Sequence, residues 1–324
     1  MRRLALVLML GATAFAAGCG GDGDDEAARD SVDLTQKKDV TIAMVTHGDG
    51  GSFWSVAKKG AEDAAADLGV TLNYNESNND AEAQAQMIEA AVTEQVDGLA
   101  VSAPDPEAIS AAVQTAVDAG IPVITLNSGA EESADMGAIT HVGQTETIAG
   151  QGAGQKLGEA GATKMICIIH EQGNVGLNQR CDGATETFGG EVENLQVAGT
   201  ADVSTTLTEI QSKLESDQSV DAVLALNPDI AVAARDAVAG AGSEASVATF
   251  DLSPDVITAI EAGEILFAVD QQQYLQGYLP VVFLTLNKTN LNTVGGGMPV
   301  LTGPGFVDES NATEIKELAE AGTR

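Results

Sequence analysis

Short apolar runs alternate with longer alanine-rich segments in the first half of the chain. Residues 40–46 form a run rich in β-branched side chains that is apolar on both faces and leads into the glycine-rich loop 48–51. Residues 53–68 then place apolar side chains at helical spacing and stop before Gly69. The first pattern predicts a strand buried in a parallel sheet, and the second predicts a helix that covers the sheet. The alternation continues with predicted strands at 70–74, 98–102 and 121–126 and predicted helices at 81–95 and 106–119.

The same alternation restarts after Gly143. Strict alternation of strand and helix favours a doubly wound α/β fold, so the chain is predicted to form two similar lobes of this kind. In the second lobe the predicted strands are 164–169, 195–199, 220–226, 246–250 and 265–269, and the predicted helices are 148–158, 178–188, 207–214, 230–239 and 254–262. Two further helices are predicted at 275–286 and 312–321.

The N-terminus has the pattern of an export signal. Two arginines follow Met1, residues 4–17 are apolar, and Gly18 precedes Cys19. We interpret residues 1–18 as a cleaved signal peptide and Cys19 as a lipidated residue at a bacterial lipobox. The alternative is an ordinary signal peptide with an incidental cysteine. Residues 19–39 are acidic and rich in small residues, which predicts a structureless tether between membrane and folded domain.

The charge balance limits the classes of partner that the protein can bind. The chain carries 48 acidic and 15 basic side chains, for a net charge of −33. Such a surface repels nucleic acid and disfavours an anionic ligand. The three histidines are not spaced as metal ligands, and the sequence holds neither a nucleophile elbow nor a phosphate-binding loop. The small residues of 150–158 suit helix packing better than a dinucleotide loop. We therefore expect no enzyme activity, no cofactor and no metal.

Two cysteines remain after Cys19. Cys167 and Cys181 lie in the second lobe, and an exported protein meets an oxidising compartment. We predict a disulfide between them, with two buried free thiols as the alternative.

Three motifs together carry a family resemblance. They are Thr46 with Ser52-Phe53-Trp54 after the first strand, the segment 121–126, and the segment 249–254 around Asp251. In order and spacing they resemble the ribose-type periplasmic sugar-binding proteins, from about residue 40 to 286. The resemblance implies a type I periplasmic binding protein, in which two doubly wound, Rossmann-like lobes are joined by a three-strand hinge. The implied lobes are 40–143 with 272–296, and 144–271 with 297–324, and the ligand lies in the cleft between them.

Carried over position by position, the resemblance implies ten ligand-binding residues. Each ends or follows a predicted strand, where ligands bind in open α/β sheets. Amides and a carboxylate would bond ligand hydroxyls, and aromatic faces would cover a ring's C–H side. The candidates are Thr46, Phe53, Trp54, Ser102, Asn127 and Ser128 in the first lobe, and Asn178, Asn227, Asp251 and Gln271 in the second lobe and hinge.

Several candidates also have structural alternatives. Asp251 and Asn227 are suited to cap the helices that follow them, and Trp54 is suited to the core. Arg180 is interpreted as a structural residue that pairs with a carboxylate. Ribose-type relatives have arginines at the positions of Ser128 and Asn178, an aromatic residue at Val203, and an asparagine at Gly51. We therefore expect a pocket without arginine, in which Asp251, with Asp49 or His47, selects a neutral ligand other than ribose.

The sequence thus predicts an exported solute-binding protein, anchored outside the cytoplasmic membrane, that delivers a neutral monosaccharide or polyol to an ABC permease. It is expected to be a monomer that binds no nucleic acid. One alternative is a receptor for a non-sugar, autoinducer-like signal presented to a membrane sensor. A repressor's effector domain and a secreted α/β enzyme are the others, and the export signal and the missing catalytic motifs weigh against them.

Overall fold

The computed structural model describes residues 39–324. The predicted signal peptide, Cys19 and the tether up to residue 38 lie outside the described residues. Within the described part, no helix is both long and apolar enough to cross a membrane.

The first lobe is built on a six-stranded sheet whose strands are all parallel. Its order is β11-β5-β4-β3-β1-β2. The strands are β1 (Thr41–Thr46), β2 (Thr71–Glu76), β3 (Gly98–Ser102), β4 (Val123–Leu126), β5 (Thr140–Gly143) and β11 (Val300–Leu301), and the helices are α1 (Ser52–Leu68), α2 (Ala81–Thr93), α3 (Pro106–Asp118) and α9 (Gln273–Asn290). Helices α1 and α9 cover one face, and α2 and α3 cover the other.

The second lobe repeats this plan in the order β12-β10-β9-β8-β6-β7. Only the edge strand β12 runs antiparallel to its neighbour. The strands are β6 (Lys164–Ile169), β7 (Glu191–Gln196), β8 (Ala222–Ala225), β9 (Ser246–Phe250), β10 (Phe267–Asp270) and β12 (Gly305–Asp308), and the helices are α4 (Glu146–Glu159), α5 (Val175–Phe188), α6 (Val203–Ser216), α7 (Pro228–Ala241), α8 (Pro254–Glu261) and α10 (Ala312–Glu320). Apolar clusters fill both faces of this sheet as well.

Helices α4 and α5 pack very closely because α4 presents glycines to its neighbour. A Cβ atom at Gly150 or Gly154 would collide with the backbone carbonyl of Arg180 or Ala184. These glycines therefore serve helix packing, as the sequence indicated, and the close contact brings Arg180 beside α4.

The chain passes between the two sheets after β5, after β10 and after β11. The predicted boundary at 296/297 is wrong, because Val300 and Leu301 still pair with Val142 and Gly143 of the first sheet. The hydroxyl of Thr140 also donates to the carbonyl of Met298 at 3.0 Å, which holds the incoming segment against β5. The third crossing therefore follows Leu301.

Several predicted elements begin too late, and β7 and α5 are two of them. Strand β7 starts at Glu191 rather than at 195, because it pairs with β6 from Lys164 onward. As an edge strand it is partly exposed, so polar residues occupy it and hide its periodicity. Helix α5 starts at Val175 rather than at 178, because Asn174 caps it by accepting a hydrogen bond from the Gly176 amide at 2.9 Å. The second shift changes which side chains face the cleft.

Cys167 in β6 and Cys181 in α5 are bonded to each other, with their sulfurs 2.04 Å apart. Both residues are fully buried.

Candidate functional site

A small cavity lies where the carboxyl ends of strands from both sheets meet. Its volume is about 30 Å³, which is room for about one water molecule. Side chains from both lobes enclose it: His47, Phe53, Trp54, Asn127, Ser128, His170, Glu171, Asn174, Leu177, Arg180, Leu226, Asn227, Asp251 and Gln271. We call this space the central cavity.

Seven of the ten predicted ligand-binding residues line the central cavity. They come from the ends of three strands in the second lobe and hinge, and from β4 and the start of α1 in the first lobe. The seven are Phe53, Trp54, Asn127, Ser128, Asn227, Asp251 and Gln271. Thr46, Ser102 and Asn178 do not line it.

Ser102 and Thr46 lie beneath the cavity wall and are fully buried. The Ser102 hydroxyl accepts a hydrogen bond from the His47 amide at 2.9 Å and contacts His47 Nδ1 at 2.7 Å. The Thr46 hydroxyl accepts from the Gly48 amide at 3.3 Å. These two residues therefore position His47 and the glycine loop, and the prediction that they contact a ligand is not supported by their place in the structure.

Asn178 is exposed and its side-chain amide donates to the Asn174 carbonyl at 3.0 Å. Because α5 begins at Val175, the residues that face the cavity are Asn174, Leu177 and Arg180, three positions apart on one side of the helix. Asn178 points away from that side. The expectation of a pocket without arginine is also wrong, because Arg180 forms part of its wall.

Arg180 is held by a bidentate ion pair. Its Nε and Nη2 donate to the two carboxylate oxygens of Glu146 at 2.6 and 3.1 Å, and its Nη1 donates to the Leu226 carbonyl at 3.3 Å. The guanidinium carbon lies 4.5 Å from the centre of the Phe250 ring. The side chains of Arg180 and Glu146 are 4% and 1% exposed. The pair therefore neutralises its own charge, in line with the structural role inferred from the sequence.

Asp251 is the main carboxyl group of the cavity. It has a left-handed backbone with φ of 70°, and its Oδ1 accepts a hydrogen bond from Gln271 Nε2 at 2.7 Å. Burial raises the pKa of Asp251 to about 7, although Arg180 and the Gln271 hydrogen bond act in the opposite direction. Helix α8 is capped by Ser253, whose hydroxyl accepts from the Val256 amide at 3.2 Å. Asp251 is therefore not used as a helix cap.

Asn227 caps α7, since its Oδ1 accepts from the Asp229 amide at 2.8 Å. It also lines the cavity, so its position agrees with both the helix-cap interpretation and the ligand-binding interpretation. The Trp54 ring is fixed by edge-to-face contacts with His47 and Phe53, whose ring centres lie 4.8 and 4.9 Å away.

A network of amides connects the lobes at the hinge. Gln271 Oε1 accepts from Gln276 Nε2 at 2.9 Å and from Asn127 Nδ2 at 3.4 Å. Gln276 Nε2 also lies 3.2 Å from the Thr302 hydroxyl beside the third crossing. A change in the angle between the lobes would alter these contacts.

The lobes also touch at the mouth of the cleft. The Ser52 hydroxyl donates to Asp229 Oδ1 at 2.5 Å, the Thr200 hydroxyl bonds Asp49, and the Val175 amide donates to the Pro104 carbonyl at 2.9 Å. The structure is thus a closed arrangement, and a ligand larger than water would need the lobes to separate by hinge bending.

Several cavity residues were missed by the sequence-based prediction, namely His170, Glu171, Asn174, Leu177 and Leu226. His170 and Glu171 directly follow β6, so the rule that ligands bind beyond strand ends would have included them. Burial lowers the pKa values of His47 and His170, which lie in opposite lobes, below their usual range. Both imidazoles are therefore neutral near pH 7.

A larger depression of about 700 Å³ lies at the other end of the second sheet, beside Lys156 and Leu266. It contains none of the predicted ligand-binding residues. Size alone does not make it the better candidate, because the polar groups from both lobes converge on the central cavity.

The family model described as periplasmic binding protein domain matches residues 42–286. The chain belongs to this family. The ribose import binding protein of Haemophilus influenzae is 29% identical over 248 residues, which is 75% of this chain and 83% of that protein. The resemblance to ribose-type binding proteins and the two-lobed fold are therefore confirmed.

Solved structures agree with this assignment. The crystal structure of a carbohydrate transporter from Acidothermus cellulolyticus, in complex with myo-inositol, has 44% identity and a TM-score of 0.86, and the match covers 88% of this chain and 99% of that one. The Caulobacter myo-inositol binding protein shares the fold. It is 23% identical with a TM-score of 0.77, and the match covers 87% of this chain and 97% of that one.

Proposed function

We propose that this protein captures a neutral cyclic polyol or monosaccharide in the central cavity and delivers it to an ABC importer. The observation that carries the proposal is the set of groups that converge on the cavity from both lobes. Amides of Asn127, Asn227 and Gln271 and the carboxyl of Asp251 surround it, beside the rings of Phe53 and Trp54. Amides and carboxyls bond adjacent hydroxyls, and aromatic faces suit the C–H face of a ring.

Charge supports a neutral ligand. Among the described residues that line the cavity, Arg180 is the one permanently cationic side chain, and Glu146 neutralises it. Glu171 and Asp251 add acidic groups to the wall. An anionic ligand would meet these carboxyl groups at close range without an unpaired cationic side chain beside it, which is unfavourable at low dielectric.

A cyclic polyol is the first ligand to test. The 44% identical Acidothermus structure contains myo-inositol, while relatives named for ribose are below 30% identity. The departure from the ribose pattern at Ser128, which lines the cavity, supports the same preference.

We also propose that the mature protein begins at a lipidated Cys19 and is held at the outer face of the cytoplasmic membrane by its acidic tether. It would act there as a monomer, without catalysis and without nucleic acid, beside a membrane permease. Labelling with a radioactive fatty acid tests the anchor, and Cys19→Ser should abolish the label.

A thermal-shift screen tests the ligand. The purified protein would be heated with myo-inositol, D-ribose, D-arabinose, D-glucose and other neutral polyols and sugars. A ligand at 100 times its dissociation constant stabilises the folded state by about 2.7 kcal/mol. Sugar phosphates serve as matched anionic controls and should give no shift. If no neutral polyol or monosaccharide raises the melting temperature, the proposed function is wrong.

A further inference from the structure

A second space lies directly outside the central cavity. Its volume is about 430 Å³, within the range of small-ligand sites. Both lobes contribute to it. We call it the outer groove, and its principal side chains are Asn78, Asn79 and Gln84 from the first lobe and His170, Gln172 and Thr200 from the second.

A thin partition separates the outer groove from the central cavity. His47, His170, Glu171 and Asn174 line both spaces. The Nε2 atoms of His47 and His170 each lie 3.7 Å from a Glu171 oxygen, which is too far for a hydrogen bond. The His47–Glu171 contact joins opposite lobes, so it opens when the lobes separate. The Asn174 side-chain amide, by contrast, donates to Glu171 at 2.6 Å, and this bond stays within the second lobe. A ligand that passed between His47 and Glu171 would therefore replace only the weak contact between the lobes.

The outer groove contains buried polar atoms that lack partners within the described chain. Gln84 is 1% exposed, and while its Nε2 donates to the Ser102 carbonyl at 2.7 Å, its Oε1 has no hydrogen bond. His170 is 8% exposed, and its Nδ1 has no hydrogen bond either. Leaving such atoms without a partner costs free energy. Both side chains line the groove, so a hydroxylated ligand there is the partner that these atoms would gain if the side chains turned towards it as the lobes open.

The walls of the groove suit a neutral polyhydroxyl ligand. Asn78 and Asn79 are exposed and have left-handed backbones, and their amides donate to the carbonyls of Gly48 and His47 at 2.9 and 3.0 Å. Those bonds hold the two asparagines over the end of β1. The described residues that line the groove include no lysine or arginine, so the groove offers amide and hydroxyl groups without a basic side chain to attract an anion.

We propose that the outer groove is a second carbohydrate subsite, so that the protein binds a neutral glycoside with one ring in the central cavity and a second sugar ring in the groove. This inference rests on the proposed function, and it deepens it by naming the ligand class. The linking oxygen would pass between His47 and Glu171, where Glu171 and Asn174 can bond hydroxyls on either side.

The test compares free rings with their glycosides by isothermal titration calorimetry. One pair is myo-inositol and galactosyl-myo-inositol, and the other is D-galactose and melibiose. We expect at least one glycoside to bind tenfold or more tightly than its free ring. Asn79→Gly, which keeps the left-handed backbone, and Gln172→Ala should remove this advantage and leave the affinity for the free ring within twofold. Asn75→Ala, an exposed asparagine on β2 outside the groove, is the matched control and should change neither affinity.

The outcomes separate the two proposals. If a free ring binds and neither glycoside binds more tightly, the second subsite is refuted and the proposed function stands. The subsite is also refuted if the glycoside advantage survives both groove variants. If no neutral sugar, polyol or glycoside binds at all, the proposed function itself fails.

Discussion

The buried ion pair between Glu146 and Arg180 should be a principal determinant of stability near the cleft. Both side chains are almost fully buried, and two hydrogen bonds of 2.6 and 3.1 Å join them. Glu146→Gln keeps the size and shape of the side chain, so it creates no cavity. It removes the negative charge that pairs with Arg180, however, and leaves the guanidinium without a charged hydrogen-bond partner; its remaining hydrogen bond to another residue is to the Leu226 carbonyl, and Asp251 and Glu171 act on it only from a distance.

Breaking a buried pair by removing one charged partner costs about 3–5 kcal/mol, because the remaining charge is desolvated without compensation. We therefore expect Glu146→Gln to lower the free energy of unfolding by this amount. Urea unfolding followed by circular dichroism measures it, provided that the slope with urea is unchanged. An exposed Arg–Glu pair supplies the control: Arg235 and Glu264 are 30% and 52% exposed, so Glu264→Gln should cost less than about 1 kcal/mol.

The double variant Glu146→Gln, Arg180→Met decides whether the cost comes from the unpaired charge. Replacing both partners removes the buried charge altogether, and such replacements are often neutral or stabilising. The double variant should therefore be more stable than Glu146→Gln alone. The reasoning fails if Glu146→Gln costs less than about 1 kcal/mol, or if adding Arg180→Met makes the protein still less stable.

Three further outcomes are expected. Burial raises the pKa of Asp251 from its ordinary value of 3.8 to about 7 in the folded protein. The stability that the protonated group contributes at low pH is therefore lost as the pH rises through 7. Asp251→Asn should thus gain stability relative to the parent between pH 4 and pH 8, by up to about 4 kcal/mol, and a difference that does not vary with pH would contradict this. Trp54→Ala should weaken binding of the ligand found in the screen by about 1–3 kcal/mol, and the variant should still unfold cooperatively. Because Trp54 is the sole tryptophan, the fluorescence of the parent protein should respond to ligand. Equal affinity of the folded variant and the parent in calorimetry would exclude a stacking role. Mass spectrometry of the exported protein under non-reducing conditions should show Cys167 joined to Cys181. The two cysteines are 14 positions apart in sequence, for which the chain-entropy model gives a stabilisation of about 3 kcal/mol. Two free thiols would rule the disulfide out.

The strands and helices were largely predictable because their periodicity is written within short stretches of sequence. The predicted strands 98–102, 164–169 and 246–250 match the observed bounds. The strands that escaped prediction are β5, β11 and β12, which are only two to four residues long. Such strands exist because the crossing segments bring them beside a partner, and a period of two leaves no clear signal over so few residues.

The candidate site divides in the same way. Asn127, Asn227 and Asp251 were found because each directly follows a predicted strand, and the carboxyl ends of parallel strands meet at one edge. The side chains contributed by α5 could not be placed from sequence, because the predicted start of this helix is three residues too late. The prediction therefore assigned Asn178 to the cleft, whereas Arg180 lines the cavity in the structure.

The sequence by itself therefore determined the two α/β lobes, the edge of each sheet that faces the cleft, and the polar, weakly aromatic character of the site. Tertiary structure decided which side chains enclose the cavity, how Glu146 neutralises Arg180 across 34 positions of sequence, and where the chain crosses for the third time. The physical reason is the sequence separation over which each interaction acts. Strand and helix periodicity depends on neighbours a few residues apart, whereas ion pairs, cavities and crossings depend on how distant elements pack.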